Sequence, residues 1–418
     1  MNKIYISIAS YRDPQLLPTI HDCINNATNP ENLVFGIAWQ HSEEDIWDNL
    51  GEFRHDTRFR IANIDYKDSK GACWARSEIH NLYGGEEYYL QLDSHHRFIK
   101  GWDTECIKMI QQLQKKGHKK PLLTSYISSF NPDNDPAGRV QEPWWMTFDR
   151  FIPEGAIFFL PATIPNWKKL KSPIPSRFLS AHFIFTLGKW CVEVPYDPEY
   201  YFHGEEISLA VRSYTHGYDL FHPHKVIAWH EYTRKGRTKQ WDDDKDWVNK
   251  NNVAHRRNRA LFAIDGECRC DITLGKYDFG TERSLFQYEA YAGIRFRDRS
   301  IQQYTKDNQV APNPMIISPL DYDMSFISIF KHCIDIYPHQ VSLVDYDLWV
   351  VAFEDKDGKE LYRQDADLDE INRMKADMGD GYYKVWREFS TQTKPAKWIV
   401  WPHSITAGWC EKLEGILP

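Results

Sequence analysis

The 418-residue sequence lacks any apolar run long enough to cross a bilayer. Its first residues lead straight into the strand-length stretch Ile4-Tyr5-Ile6-Ser7-Ile8-Ala9, with no signal-peptide cleavage pattern. The expectation is a cytoplasmic protein. Cysteines are few and irregular: Cys23, Cys73, Cys106, Cys191, Cys268, Cys270, Cys333 and Cys410 form no paired Cys-x-x-Cys set. That speaks against a disulfide scaffold or a structural zinc site. Cys268 and Cys270 are separated by one residue, but two thiolates alone do not complete a tetrahedral site. Positive charge is not in excess. A net charge of −8 argues against binding nucleic acid by phosphate neutralisation. Repeats and low-complexity segments are absent.

What is present is a substantial core. Hydrophobic residues make up 42% of the chain, too many for a disordered one. Aromatic residues reach 15%, including 16 Trp; most belong in a core, though flat aromatic faces also suit sugars. Residues 4–9, 33–39, 60–65 and 87–92 read as strands, and 14–25 and 71–82 as helices, the first opened by Asp13-Pro14. This rhythm predicts an α/β domain with a mostly parallel, Rossmann-like sheet and covering helices. Ligands of such sheets collect beyond the carboxyl ends of the strands, where Ser10, Arg12, Asp65 and Asp93 would lie. Residues 231–259 are polar and read as a mobile loop followed by a helix. A break at Asp307–Asn313 divides a domain of residues 1–306 from a small β-rich one of residues 314–418. Strands are expected there at 347–353, 360–363, 382–389 and 397–401, with Asp355–Gly358 as a hairpin turn.

The sharpest local feature is Leu92-Asp93-Ser94-His95-His96-Arg97-Phe98. Asp93 and His95 are two residues apart on an extended chain, so their side chains point to one side. A carboxylate and an imidazole suit Mn²⁺ or a similar divalent ion that also accepts diphosphate oxygens. An isolated Asp-x-His is more often a turn cap beside surface histidines. Here it is followed by His203-Gly204-Glu205-Glu206, a helical stretch closed by Gly217, and a strand ending at His230, a third candidate ligand. Paired acids at a helix start are by themselves often only favourable dipole placement.

In this order the motifs resemble glycosyltransferase family 60, which includes cytoplasmic enzymes that attach N-acetylglucosamine to hydroxyproline. They are more distantly similar to the polypeptide GalNAc-transferases. Ser10-Tyr11-Arg12-Asp13-Pro14, Lys70-Gly71-Ala72-Cys73-Trp74-Ala75-Arg76 and Asp278–Phe296 fit as well, so the resemblance covers residues 3–298. It implies a GT-A fold, a UDP-sugar donor and retention of anomeric configuration. It also implies Mn²⁺ or Mg²⁺ on Asp93, His95 and His230, with His96 in a variable slot. Arg76 falls near the diphosphate and ribose, and Ser10, Arg12 and Asp65 near uridine. Glu205 and Glu206 fall on the acidic pair at sugar and acceptor, the catalytic positions. His182 falls near the donor sugar, where the GalNAc-transferases have Gly-Gly. Trp144-Trp145 reads either as a stacking surface or as an aromatic wedge of the core.

The function expected is transfer of GlcNAc, or another hexosamine, from its UDP conjugate to a hydroxyl on a protein or glycan. The alternatives are a surface-polysaccharide transferase with a different UDP-sugar, and a catalytically silent UDP-sugar-binding protein. A metal-dependent phosphohydrolase would normally use more carboxylate and histidine ligands. The β-rich tail has no counterpart in these motifs.

Overall fold

The structure is a computed structural model that describes residues 2–417 except 153–154, 234–235, 265–266, 268 and 270–271. Cys268 and Cys270 therefore lie outside the described residues. Two compact units form. The first spans Met1–Arg299 and Tyr304–Met315, the second Ser300–Gln303 and Ile316–Pro418.

The first unit begins β1 (Ile4–Tyr11), α1 (Leu16–Asn26), β2 (Leu33–His41), β3 (Phe59–Asp65), α2 (Ala72–His80) and β4 (Tyr88–Asp93). It continues with β5 (His96–Phe98), α3 (Trp102–Lys115), β6 (Pro121–Thr124), the hairpin of β7 (Trp144–Phe151) and β8 (Ile157–Thr163), β9 (Ile174–Pro175) and β10 (Phe183–Leu187). The short α4 (Trp190–Glu193), α5 (Glu205–Thr215), β11 (Asp219–His222) and β12 (Ala228–His230) follow, then α6 (Gln240–Asp243), α7 (Trp247–Phe262) and α8 (Leu285–Ala292).

The expected α/β architecture is found. An eight-stranded sheet runs β3-β2-β1-β4-β10-β6-β11-β9. Its β3-β2-β1-β4 half and the β6-β11 pair are parallel, while β10 runs antiparallel to both β4 and β6. β1 and β2 are buried along nearly their whole length, as covered parallel strands must be. The core joins Ile4, Ile6, Ile8, Phe35 and Ile37 to Leu16, Ile20 and Cys23 of α1 and Trp102 and Ile110 of α3. α1 is counted from Leu16, after a turn at Pro14–Gln15, and the Asp13 carboxylate serves two purposes. Its Oδ1 accepts the Gln15 N–H at 2.9 Å, while its Oδ2 turns inward to Ser94 and His95.

The second unit is β-rich, as expected. The strand Phe326–Ile336 pairs with Tyr383–Thr391, and Tyr346–Glu354 pairs with Lys397–Ser404. Asp355 turns that chain: its N–H donates to the Lys359 carbonyl at 2.9 Å. Trp349, Val351, Phe353, Val385 and Val400 form its core. Phe326–Ile336 and the helix Leu368–Ala376 are two elements that sequence patterning missed. No helix among the described residues is long and apolar enough to cross a membrane.

Candidate active site

β1, β2 and β4 end side by side, so Tyr11, Gln40 and Asp93 reach one cavity of about 180 Å³. His95, His230, Asp13, Tyr201, Arg237 and Gln240 also line it. The bend after β4 is pinned by α1: Thr19 Oγ1 donates to the Ser94 carbonyl at 2.9 Å and accepts the His96 N–H at 2.8 Å. β12 pairs antiparallel with β5, setting His230 opposite His96. The His230 N–H donates to the Ser128 carbonyl, and the Glu231 N–H to the His95 carbonyl. Two chain segments more than a hundred residues apart thus meet in a fixed register.

The result is a compact donor set. His230 Nε2 lies 3.3 Å and His95 Nε2 3.7 Å from Asp93 Oδ2. One ligand atom from each of Asp93, His95 and His230 falls within 4.8 Å of the others. Two nitrogens and a carboxylate oxygen at that spacing fit a divalent ion with open positions for other oxygens. Asp13 Oδ2 stands 2.7 Å from His95 Nδ1, which leaves Nε2 to face Asp93. Carboxylates commonly orient ligand histidines in this way. Neither Asp13 nor Arg237 was picked out from sequence as a site residue. Asp13 read as a helix cap, and Arg237 sits in a charged segment with no distinguishing pattern. Arg237 NH1 lies 2.9 Å from both Asp13 Oδ2 and His95 Nε2, so the protein already supplies a cation to this corner.

Protonation follows burial and charge. Desolvation opposes ionisation of Asp93, but the hydrogen bond with His230 and the charges of Arg76 and His95 hold its carboxyl well below the usual range. Burial, followed by the neighbouring His182, pushes His230 well below the usual imidazole range, so it stands neutral, and its Nε2 would give up the proton it shares with Asp93 to act as a metal ligand. His96 is driven down by burial in the same way. Its Nδ1 faces the Asp93 carbonyl at 3.0 Å rather than the donor set.

The other sequence candidates divide. Arg76 is buried behind Asp93: its NH2 donates to Asp93 Oδ1 and its NH1 to the Ala181 carbonyl, both at 2.5 Å, and Glu205 lies 3.9 Å from its Nε. His182 stacks on the His230 ring at 4.3 Å and 19°. Its Nε2 accepts the Ile127 N–H at 3.3 Å, and burial pushes its pKa down to about 3. Glu206 accepts from the Ala181 N–H at 2.9 Å and the Tyr126 hydroxyl at 3.0 Å. Arg76, His182, Glu205 and Glu206 thus form a layer behind the donor set rather than part of the cavity wall. Ser10, Arg12 and Asp65 are not brought to the wall either. Ser10 is buried. Arg12, in the left-handed region at φ +44°, pairs with Asp45 at 2.6 Å and Asp243 at 3.0 Å. Asp65 is exposed and accepts the Lys67 N–H at 2.9 Å, a turn cap. Trp145 is 5% exposed and belongs to the core; Trp144 packs against Tyr232 at 6.1 Å.

Two glycines in the left-handed region open helices here, and the first brings backbone to the cavity wall. Gly71, at φ +106°, opens α2 on the cavity wall, and a Cβ there would meet the Tyr201 ring at 2.8 Å. Gly204, at φ +93°, opens α5, and a Cβ there would meet Asn258 at 3.0 Å. Both helix starts offer free peptide N–H groups. The segment expected to be a mobile loop contributes Arg237–Trp241 to the wall and contains α6. Trp241 meets Phe202 at 5.6 Å.

Burial raises Glu206 to about 7, and Glu205 is also raised, chiefly by burial. A carboxyl raised above its ordinary 4.5 favours the folded state while protonated. That contribution is complete below pH 4.5 and is lost as pH rises through about 7. Thermal midpoints should therefore fall more steeply across this window in the wild type than in Glu206→Gln. Parallel profiles for the two proteins would contradict the assignment.

The profile of the family described as Glycosyltransferase (GlcNAc) matches residues 3–53 and 47–298. No curated protein sequence matches. Among solved structures, GalNAc-T7 with UDP, GalNAc and Mn²⁺ is similar with a TM-score of 0.45 and 13% identity, over 62% of this chain. The match spans about half, 49%, of the GalNAc-T7 chain. S. aureus TarS 1–349 in complex with UDP-GlcNAc aligns at a TM-score of 0.38 and 12% identity, over 61% of this chain and 67% of that one. S. aureus TarS aligns over 99% of this chain and 77% of that one, at 0.38 and 10% identity.

Proposed function

Because the chain belongs to the GlcNAc glycosyltransferase family, we propose that it is a metal-dependent enzyme moving N-acetylglucosamine from UDP-GlcNAc to a hydroxyl acceptor. The observation that carries this reading is the convergence of Asp93, His95 and His230 on a cavity at the carboxyl ends of β1, β2 and β4. In this reading these three residues would hold Mn²⁺ or Mg²⁺, which would supply positive charge to offset that of the diphosphate.

The chain's own residues do the rest. Asp13 orients His95, His182 supports the ring of His230, and Arg76 fixes the Asp93 carboxylate. The first turn of α2 and the Arg237 guanidinium stand on the cavity wall, where a diphosphate would find N–H donors. Glu205 and Glu206 act here from behind the wall, Glu205 against Arg76 and Glu206 against the Ala181 N–H.

The two carboxylates on the wall, Asp93 and Asp13, are already engaged by Arg76, His95 and Arg237. That favours direct same-face displacement over a covalent intermediate. The bond from the anomeric carbon to the diphosphate oxygen breaks as the acceptor oxygen bonds to that carbon. The departing oxygen takes the acceptor proton, and configuration is retained. The acceptor is a protein or glycan hydroxyl; a surface polysaccharide is one such class.

A screen of UDP-sugars by thermal shift with Mn²⁺, followed by assay of acceptor-dependent product, tests the reading. UDP-GlcNAc should give the largest stabilisation. Stabilisation without transfer to any acceptor would favour a silent binding protein. A larger shift with another UDP-sugar would reassign the donor.

A further inference from the structure

Among the exposed aromatic side chains of the second unit, two tryptophans, Trp401 and Trp409, lie ring against ring. Along the strand Lys397–Ser404, Val400, Pro402 and Ser404 are buried, while Trp401 alternates to the other face and is 37% exposed. The short strand Gly408–Trp409 pairs with its end, placing Trp409, 50% exposed, directly opposite His403. The two indoles lie 4.6 Å apart at 36°. They are held rather than loose. Trp401 Nε1 donates to the Cys410 carbonyl at 2.9 Å, and the His403 ring meets Trp409 at 4.9 Å and 68°. His403 Nδ1 in turn lies 2.7 Å from Asp347 Oδ1. Flat apolar faces thus sit beside an imidazole and a carboxylate.

We propose that Trp401 and Trp409 form a binding platform for a neutral glycan. This rests on the reading of the chain as a sugar transferase, and it names the acceptor's class. A pyranose presents a flat C–H face to an indole and equatorial hydroxyls to groups such as His403 and Asp347 at the rim. Charge selects against other occupants. Asp345 and Asp347 flank the strand end, and Asp345 accepts from Ser404 and Thr406, so a phosphate polymer meets like charge. Area selects against a second copy. The two indoles expose roughly 200 Å², and even with Ile405, 70% exposed, and Val344, 83% exposed, counted in, the apolar area stays at roughly 450 Å². A stable dimer needs about 800 Å² from each partner, whereas functional patches on monomers are commonly this small.

The test uses the full chain with chitotetraose as probe, read by tryptophan fluorescence and saturation-transfer NMR. Trp401→Ala and Trp409→Ala should each weaken binding at least tenfold, and Trp409→Phe should stay within about threefold of wild type. Trp386→Ala, at a 55% exposed tryptophan on a different sheet, should change nothing. No binding by the wild type, or equal binding by all variants, overturns the platform. So does a fall in oligomeric mass by light scattering in Trp409→Ala, which would make the patch an interface between copies. The UDP- and Mn²⁺-dependent thermal shift is measured on the same samples. If that shift persists while chitotetraose fails to bind, the platform alone is wrong; if the shift is absent, the transferase reading fails too.

Discussion

Asp93→Asn should reduce metal-dependent transfer about a thousandfold, and His230→Ala by a similar factor, with the fold intact in both. The size follows from the geometry. Asp93 Oδ2 is the shared point of the donor set, 3.3 Å from His230 Nε2 and 3.7 Å from His95 Nε2. An amide carries no negative charge for the ion, and a Lewis acid stabilises the departing charge by several kcal/mol; four of these correspond to about a thousandfold. Asparagine keeps an oxygen to accept from Arg76, which limits the structural cost. The measurement is initial rate against Mn²⁺ concentration, with circular dichroism as the control for folding. Full activity of either variant in the presence of a chelator would remove the metal from the mechanism.

Arg76→Met should have the largest effect on stability, a loss of about 3–5 kcal/mol. The Arg76 side chain is 5% exposed and faces Asp93 and Glu205, whose carboxylates would then lie near each other without a buried cation. Its bond to the Ala181 carbonyl would also go unmade. For a unit of this size the midpoint of thermal unfolding should fall by roughly 5–8 °C. Arg76→Lys, which keeps the charge but not the planar fork, should fall between wild type and Arg76→Met. An unchanged midpoint in Arg76→Met would mean that Asp93 is held by its histidines alone.

The donor set was legible in sequence because its two halves each end a short apolar strand. Asp93 closes Tyr88–Leu92, and His230 closes Ala228–Trp229. Strand ends are where such sheets gather ligands. What brings the halves together, the pairing of β5 with β12, is long-range and leaves no periodicity to read. Arg76 was singled out as a cation near phosphate. Its place behind Asp93 reflects burial, which a spacing pattern does not encode. Arg12 and Asp65 sit near strand ends in sequence, yet Asp45, Asp243 and a local turn claim them. Asp13 has a second role besides the cap. Its cap-like position before Pro14 hid a carboxylate that serves His95. Arg237 left no signal, because one arginine in a charged segment looks like any other. In the second unit, the strand Phe326–Ile336 escaped notice because it is only partly buried along most of its length.

The most direct test of the central claim is a crystal of the full chain grown with Mn²⁺ and UDP-GlcNAc, measured at the manganese absorption edge. The expected result is one anomalous peak within bonding distance of Asp93, His95 and His230, with diphosphate oxygens on its open side and Arg237 moved off His95 Nε2. Manganese bound elsewhere, or UDP-GlcNAc bound in this cavity with no peak at those three side chains, would contradict it.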